Sequence, residues 1–443
     1  MSSRHRWART LGLLWPTLLA PVAASAFQLN YLLEVGIEHN DNVALSEDHP
    51  VTEDILRPSL GFNLTEQGSE IQAAATGNLE YRDYLHNRFS NEFRGQLDSR
   101  LNWTAIAERL NFTVQDNLSL QPINTLAADS PSNLQQTNVF AAGPTLSFRL
   151  GQSLRGQAEL RYINSAAEDT KEFNSQRVSA ALRALKDINA STVLSANLVD
   201  ERVDFSEDGV SPNYSRYSAF GRYARKWNKF DLTTDLGYSW LRYSGSDNSG
   251  LDRQDPLARA DLAWHVSQQS TLTLEVAQQL SDAASDMLLS TEIGPRIPAS
   301  IATGDASITP AAYLERRVQF AYAYQGVRAD FSVAPYYRKL EYSNGFALDD
   351  INGGDQNSHG ATLTAAWKLR PLISIGLSAT GDDLKYDQLA REDKTWMVQA
   401  FFRQQWTRHW SWRAELTHYK RESNAIGQNS DQNYIYVAMT YTR

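Results

Sequence analysis

The chain has 443 residues, no cysteine, 42% hydrophobic residues, 20 Tyr, 11 Trp and a formal net charge of −9. Without cysteine a disulfide framework or a thiolate metal site is excluded. An acidic balance argues against a phosphate-backbone binder, so no nucleic-acid partner is expected, and no cofactor or metal either.

The chain opens with Arg4, Arg6 and Arg9, continues as an apolar run from Leu11, and reaches Ala24-Ser25-Ala26. A basic n-region, a short apolar stretch and an A-x-A site describe a secretory signal peptide, predicted here for residues 1–26. The apolar run falls short of the roughly 20 residues a membrane-crossing helix needs. Removing the three arginines takes the formal charge from −9 to −12. No later run is long and apolar enough for a transmembrane helix. A chain without one enters a membrane only as a closed barrel, whose closure pairs every backbone amide and carbonyl.

From residue 27 to 443 segments of about ten residues alternate apolar and polar, the mark of strands with two different faces. In 69–82, Ile71, Ala73, Ala75, Gly77, Leu79 and Tyr81 oppose Gln72, Ala74, Thr76, Asn78, Glu80 and Arg82. In 93–103, Phe93, Gly95, Leu97, Leu101 and Trp103 oppose Arg94, Gln96, Asp98, Arg100 and Asn102. The same rhythm returns around Val318, Phe320 and Tyr322, and around Trp410, Trp412 and Leu416.

Connections alternate in length. Short turns are predicted at Glu66–Ser69, Ile106–Arg109, Leu150–Ser153, Lys186–Asn189 and Lys226–Lys229. They continue at Ser267–Ser270, Tyr324–Val327, Leu369–Leu372 and Thr407–Trp410. Longer polar stretches lie between them: 39–54, 83–90, 119–137, 164–174, 204–214, 243–256, 281–311, 343–357, 380–393 and 421–431. Short periplasmic turns alternating with long extracellular loops belong to outer-membrane barrels, whereas a sandwich has no reason to sort loops by parity. The fold expected is all-β: a closed antiparallel up-and-down transmembrane barrel of about 20 strands, with 18 as the next count and 108–124 and 188–205 as the stretches that decide it. Trp103, Trp227, Trp264, Trp367, Trp406 and Trp410 stand beside the short turns, where an aromatic girdle meets the periplasmic headgroups. The last strand puts Ile435, Val437, Met439 and Tyr441 on one face.

If apolar faces meet lipid, the opposite faces line a lumen. The transport path expected there is Arg94, Arg100, Arg155, Arg161, Arg177, Arg183, Arg222, Arg259, Arg317, Arg328, Arg403 and Arg413, beside fewer carboxylates (Asp98, Glu159, Asp235, Asp261, Glu275, Asp330, Glu415). The remaining negative charge is assigned to loops, at Glu47, Asp48, Glu53, Asp54, Asp349, Asp350, Asp355, Asp382, Asp383, Glu392 and Asp393. A cationic channel in a low-dielectric wall concentrates anions, and arginine forks match carboxylate and phosphate. The same arginines would equally serve as wall stiffeners if carboxylates on neighbouring strands pair with them. The partners expected are outer-membrane lipid and lipopolysaccharide, an acidic polysaccharide or small anions, and a periplasmic export partner. The loop at 281–311, with Met287, Leu288, Leu289, Ile293, Ile297 and Ile301 beside Pro295 and Pro298, either folds inward or caps the outside.

Catalysis finds no support. His39, His49, His86, His265, His359, His409 and His418 form no triad spacing, and no P-loop, H-E-x-x-H or G-x-S-x-G occurs. The chain is read as a non-enzyme.

The segment Val35-Gly36-Ile37-Glu38-His39-Asn40-Asp41-Asn42-Val43-Ala44-Leu45-Ser46 resembles the first strand and loop of the outer-membrane β-barrel porins found with exopolysaccharide gene clusters. The resemblance implies a bacterial outer-membrane barrel taking part in exopolysaccharide export, with a small-solute porin as the alternative on the same fold. Asp41 and Asn42 themselves need no chemical role, because Asp and Asn favour turns through side-chain bonds to nearby backbone.

Overall fold

The computed structural model describes residues 27–207, 212–245, 250, 252–289, 308–343 and 354–443. The expected signal peptide, residues 1–26, lies outside them. Twenty strands follow one another in chain order. They are β1 (Gln28–Asn40), β2 (Glu53–Gln67), β3 (Ile71–Tyr84), β4 (Glu92–Ile106) and β5 (Leu110–Pro122). Next come β6 (Leu134–Arg149), β7 (Leu154–Ala167), β8 (Ser175–Asn189), β9 (Thr192–Phe205) and β10 (Tyr214–Lys226). The second half holds β11 (Phe230–Tyr243), β12 (Arg253–His265), β13 (Ser270–Ser281), β14 (Tyr313–Gln325) and β15 (Ala329–Tyr342). It ends with β16 (Gln356–Arg370), β17 (Ile373–Tyr386), β18 (Arg391–Gln405), β19 (Trp410–Ser423) and β20 (Ser430–Thr442). One short helix, α1 (Ala283–Leu289), follows β13.

Each strand pairs antiparallel with its sequence neighbours, and β1 pairs with β20 from Leu32↔Thr442 to Asn40↔Tyr434, which closes the sheet. The expected 20-stranded up-and-down barrel is what forms, and both undecided stretches are strands, β5 and β9. Closure leaves no unpaired edge for lipid to meet. Strands run from 12 residues in β13 to 16 in β6, more than the roughly 9–11 a tilted strand needs to cross the hydrocarbon.

The alternation seen in sequence becomes inside and outside. In β1, Val35 and Ile37 are 56% and 49% exposed on the outer wall, whereas Glu34 and Glu38 on the lumen side are 5% and 3% exposed. Trp103, Trp227, Trp264, Trp367, Trp406 and Trp410 all present their rings outward at the turn end of the barrel. Trp103 stacks on Phe112 at 5.4 Å and Trp264 on Phe230 at 5.5 Å, so the girdle is built of cross-strand pairs. An apolar exterior bounded by aromatics on a closed even-stranded barrel is the architecture of a bacterial outer-membrane protein.

Two expectations about connections are corrected. The turn placed at Lys186–Asn189 is strand, and the chain reverses at 190–191. The loop placed at 380–393 shrinks to 387–390, where Ala390 takes φ 48°. Its carboxylates Asp382, Asp383, Glu392 and Asp393 therefore sit on β17 and β18, as Glu53 and Asp54 sit on β2.

The Asp41-Asn42 pair has the turn role its chemistry suggests. The Asn42 amide donates to the Ser46 and Asp431 carbonyls, both at 2.9 Å, and Asp41 accepts from the Asn433 backbone and side chain at 2.7 and 2.9 Å. The first loop is thereby fastened to the last strand.

Candidate functional site

The lumen is not an open cylinder. Pairing of β12 with β13 ends at Ala258↔Gln278, although β12 itself begins at Arg253. Above that point the tops of β13 and β14 lean inward, and Leu280, Ala312 and Leu314 pack on Val203, Tyr214 and Leu241 of the nearby β9–β11 wall. Helix α1 continues the inward course. Its Ala283, Ala284 and Met287, with Ile308, pack on Val139, Ala141, Ile163, Ala167 and Phe173, four of which face the lumen on β6 and β7. Of the two courses open to the 281–311 loop, the described part takes the inward one. Ile293, Pro295, Ile297, Pro298 and Ile301 fall outside what the structure describes.

A second connection also crosses the mouth. The 123–133 segment leaves β5 and reaches the far wall, where the Thr125 carbonyl accepts from Tyr386 at 3.1 Å. The Leu126 carbonyl accepts from Arg391 and Arg421 at 2.5 and 3.1 Å. The extracellular half of the lumen is thus crossed by two inward segments.

Ionic contacts fix α1. Arg177 on β8 donates to Asp282 at 2.5 Å, and Arg216 on β10 lies 3.5 Å from the same carboxylate. Arg216 also holds Glu201 at 3.0 Å and the Leu280 carbonyl at 2.9 Å. Asp282 accepts from the Ser285 backbone at 3.1 Å, so it caps the helix while pairing with the wall. Asp286 bonds Ser281 and Tyr313, both at 2.6 Å, and pairs with Arg338 of β15. Burial works to raise the Asp282 carboxyl, but Arg177 and Arg216 outweigh it and hold it well below the usual carboxylate range. Burial, helped by nearby Glu315, raises Asp286 against the pull of Arg338.

The arginines expected along the path resolve into several situations. Arg94 is buried against Glu92 at 2.7 Å. Arg155 forks onto Asp187 at 2.6 and 3.0 Å at the periplasmic edge. Arg222 forks onto Asp235 at 2.6 and 2.8 Å, and Arg259 joins the same carboxylate at 2.7 Å. Arg317 faces Glu275 at 3.5 Å, and Arg413 grips Glu34 at 2.8 and 3.1 Å while also pairing with Glu415. Arg403 lies in register with Arg413 on the lumen side. Arg177 serves the inward helix. Arg183 and Arg161 share Glu159 at 2.7 and 3.4 Å, and Arg100, exposed to the lumen, acts electrostatically on that same carboxylate from β4. Arg328 is misplaced by the sequence reading: it sits in the 326–328 turn, exposed at the periplasmic end.

The expectation that carboxylates are fewer than arginines along the path also fails. Glu34, Glu38, Glu80, Glu92, Glu201, Glu315 and Asp393 all line the lumen, and most are paired to arginines that the sequence reading also passed over: Arg57, Arg216, Arg338, Arg391 and Arg421. Strand parity identified the face of each residue; the carboxylates were missed because they cluster at β1–β4 and at strand tops taken for loop.

Charge is nonetheless unevenly spread around the axis. Facing inward on β15–β17 are Ser332, Ala334, Thr362, Thr364, Ser378 and Thr380, with Gly360 and Gly376, an uncharged stretch between Asp330 and Lys368 at the periplasmic end and Asp382 above. In a 20-strand barrel β16 stands diametrically across from β6, so this small neutral wall looks onto the Arg100, Arg161 and Arg183 group.

The rings of His39, His86, His418 and His409 bond Asp54, Glu53, Asn433 and the Thr442 carbonyl in turn, contacts that tie rims and strands together. Among the described residues no cluster of three or more His, Asp or Glu could hold a metal.

No protein-family model and no curated protein matches the chain. Among solved structures it is similar to the FrpB iron transporter from Neisseria meningitidis, at 9% identity over 94% of this chain and 82% of that one, TM-score 0.47. The siderophore receptor PirA from Pseudomonas aeruginosa matches at 11% identity over 95% and 81%, TM-score 0.42. OprD from Pseudomonas aeruginosa matches at 11% over 94% and 95%, TM-score 0.33. Likenesses this distant carry neither cargo nor partner over to this chain.

Proposed function

We propose that the chain is an outer-membrane conduit for anionic cargo, restricted on its extracellular side by the inward loops. The observation that supports this reading is the mid-lumen group of Arg100, Arg161 and Arg183 around one carboxylate, Glu159, opposite an uncharged Ser/Thr/Gly wall. Cargo passing there meets net positive charge on one side and, on the other, hydroxyls able to donate to or accept from sugar hydroxyls. Fixed guanidinium groups inside a low-dielectric wall raise the local anion concentration. Export of an anionic exopolysaccharide is the cargo reading we favour, in keeping with the resemblance of the Val35–Ser46 segment; a small-anion porin uses the same features.

Planar-bilayer recordings under a KCl gradient test it. The reversal potential is expected on the anion side, and replacing Arg100 and Arg183 with Glu is expected to move it to the cation side. A cation-selective parent protein removes the proposal. Block of the KCl current by a long uronate oligomer, and passage of that oligomer into vesicles, separate the polymer reading from the small-anion one.

A further inference from the structure

The ion cluster that docks α1 has an uneven charge account. On the barrel wall stand two guanidinium groups, Arg177 and Arg216, and one carboxylate, Glu201, which lies 3.9 and 3.0 Å from them. The second carboxylate, Asp282, comes from the loop. All four side chains are largely buried, Asp282 at 1% exposure and Arg177 at 3%. If α1 withdrew, one buried positive charge would lose its partner, and a buried unpaired charge is costly enough that an anion has to replace it. Beside the cluster the Tyr214 ring is fully buried, and its hydroxyl has no hydrogen-bond partner. That hydroxyl is a donor left for a ligand that Asp282 does not reach. By contrast, Arg338 already faces wall Glu315 at 2.9 Å, one for one, so the Asp286 contact leaves no such vacancy behind.

We propose that Arg177, Arg216 and Tyr214 form a binding site for a carboxylate of the cargo, and that Asp282 is an internal stand-in which occupies this site when the loop is docked. The inference rests on the anionic-conduit reading above. The loop carboxylate and the cargo carboxylate compete for the same guanidinium forks, so cargo arriving in the lumen displaces α1 and opens its own path. Competition of this kind lowers the apparent affinity for cargo by the fraction of time the site is self-occupied. Asp282 is well suited to be displaced: its charge is matched by the wall, while it stands one residue beyond the last β13–β14 ladder pair, Ser281↔Tyr313, at the start of α1.

The test uses the full chain in detergent and in planar bilayers, with oligogalacturonate as the probe. Asp282→Asn keeps an acceptor for the Ser285 amide and removes the charge. It is expected to bind oligogalacturonate roughly tenfold tighter than the parent, read from intrinsic tryptophan fluorescence. Its resting KCl conductance is expected to rise several-fold. Adding Arg177→Gln in the Asp282→Asn background leaves that pair with no orphaned carboxylate, and the affinity gain is expected to vanish. Equal affinity in the parent and Asp282→Asn, or a gain that survives Arg177→Gln, overturns the proposal. The two readings separate cleanly. Tighter binding with no conductance in any variant upholds the site and sinks the conduit; a conductance rise at unchanged affinity upholds the conduit and sinks the site.

Discussion

Two arginine clusters of similar chemistry do different work in this barrel. At the closure seam, Arg413 on β19 holds Glu34 on β1 at 2.8 and 3.1 Å, and Tyr436 and Thr440 on β20 donate to the same carboxylate at 2.8 and 2.7 Å. At the inward helix, Arg177 and Arg216 hold Asp282. Every partner in the seam cluster sits on a strand fixed by its hydrogen-bond ladder, so the ion pair adds to contacts that persist without it. In the second cluster one partner rides on a loop. An arginine–carboxylate pair is thus a rivet or a latch according to the backbone its carboxylate stands on, and a test of each should affect a different observable.

The largest effect on stability is expected at the seam. Arg413→Met leaves Glu34 buried without its cation, which costs about 3–5 kcal/mol. Urea unfolding from lipid vesicles should show a midpoint lowered accordingly, with resting conductance unchanged. Should conductance rise instead, the seam arginine would be governing the lumen and the distinction would be lost. Asp282→Asn is expected to behave oppositely, with a several-fold rise in conductance and a midpoint close to the parent's.

Next in size is the response to acid, for which the two loop carboxylates have opposite signs. The docked pKa of Asp282 is lowered, so its contribution to docking is complete at neutral pH and is lost only when pH falls through that lowered value. The docked pKa of Asp286 is raised, so its docking strengthens as pH falls through the raised value. Mild acidification, from about pH 7 to about pH 5, should therefore leave the loop docked or tighten it. Asp286→Asn should flatten that response. A conductance increase over the same interval would show that Asp282 does not carry the latch.

Strand positions and turns were legible because period-two alternation and short turns are local properties, and a one-residue slip would turn every apolar side chain into the lumen. The girdle tryptophans were legible for the same reason. What the alternation could not supply was partnership. Arg177 reads as a lumen arginine like Arg183, yet one meets a loop carboxylate 105 residues later and the other a neighbour on the preceding strand, Glu159. Asp382 and Asp393 read as loop because their polar surroundings resemble a loop; here strands run past the membrane and carry charge on both faces. The apolar residues of the longest loop, Met287 and Leu288 among them, were the local signal that the segment folds inward, since an apolar side chain gains nothing from capping the outside in water.

The smallest effect expected is also the most specific probe of the seam. The Tyr436 ring lies over Gly36, filling the place of a side chain so closely that a Cβ there would meet the ring at 2.4 Å or less. Arg57 and Arg413 cover the ring at 4.4 and 5.0 Å from its centroid. Tyr436→Phe keeps the ring, its cover and the Gly36 contact, and removes only the hydroxyl that donates to Glu34. Since Arg413 and Thr440 still satisfy that carboxylate, the loss should be about 1 kcal/mol, the net worth of one hydrogen bond. The urea midpoint should drop slightly at an unchanged slope, which marks a change in stability without a change in the surface exposed. A loss as large as that of Arg413→Met would mean that the hydroxyl, and not the guanidinium, holds β1 to β20.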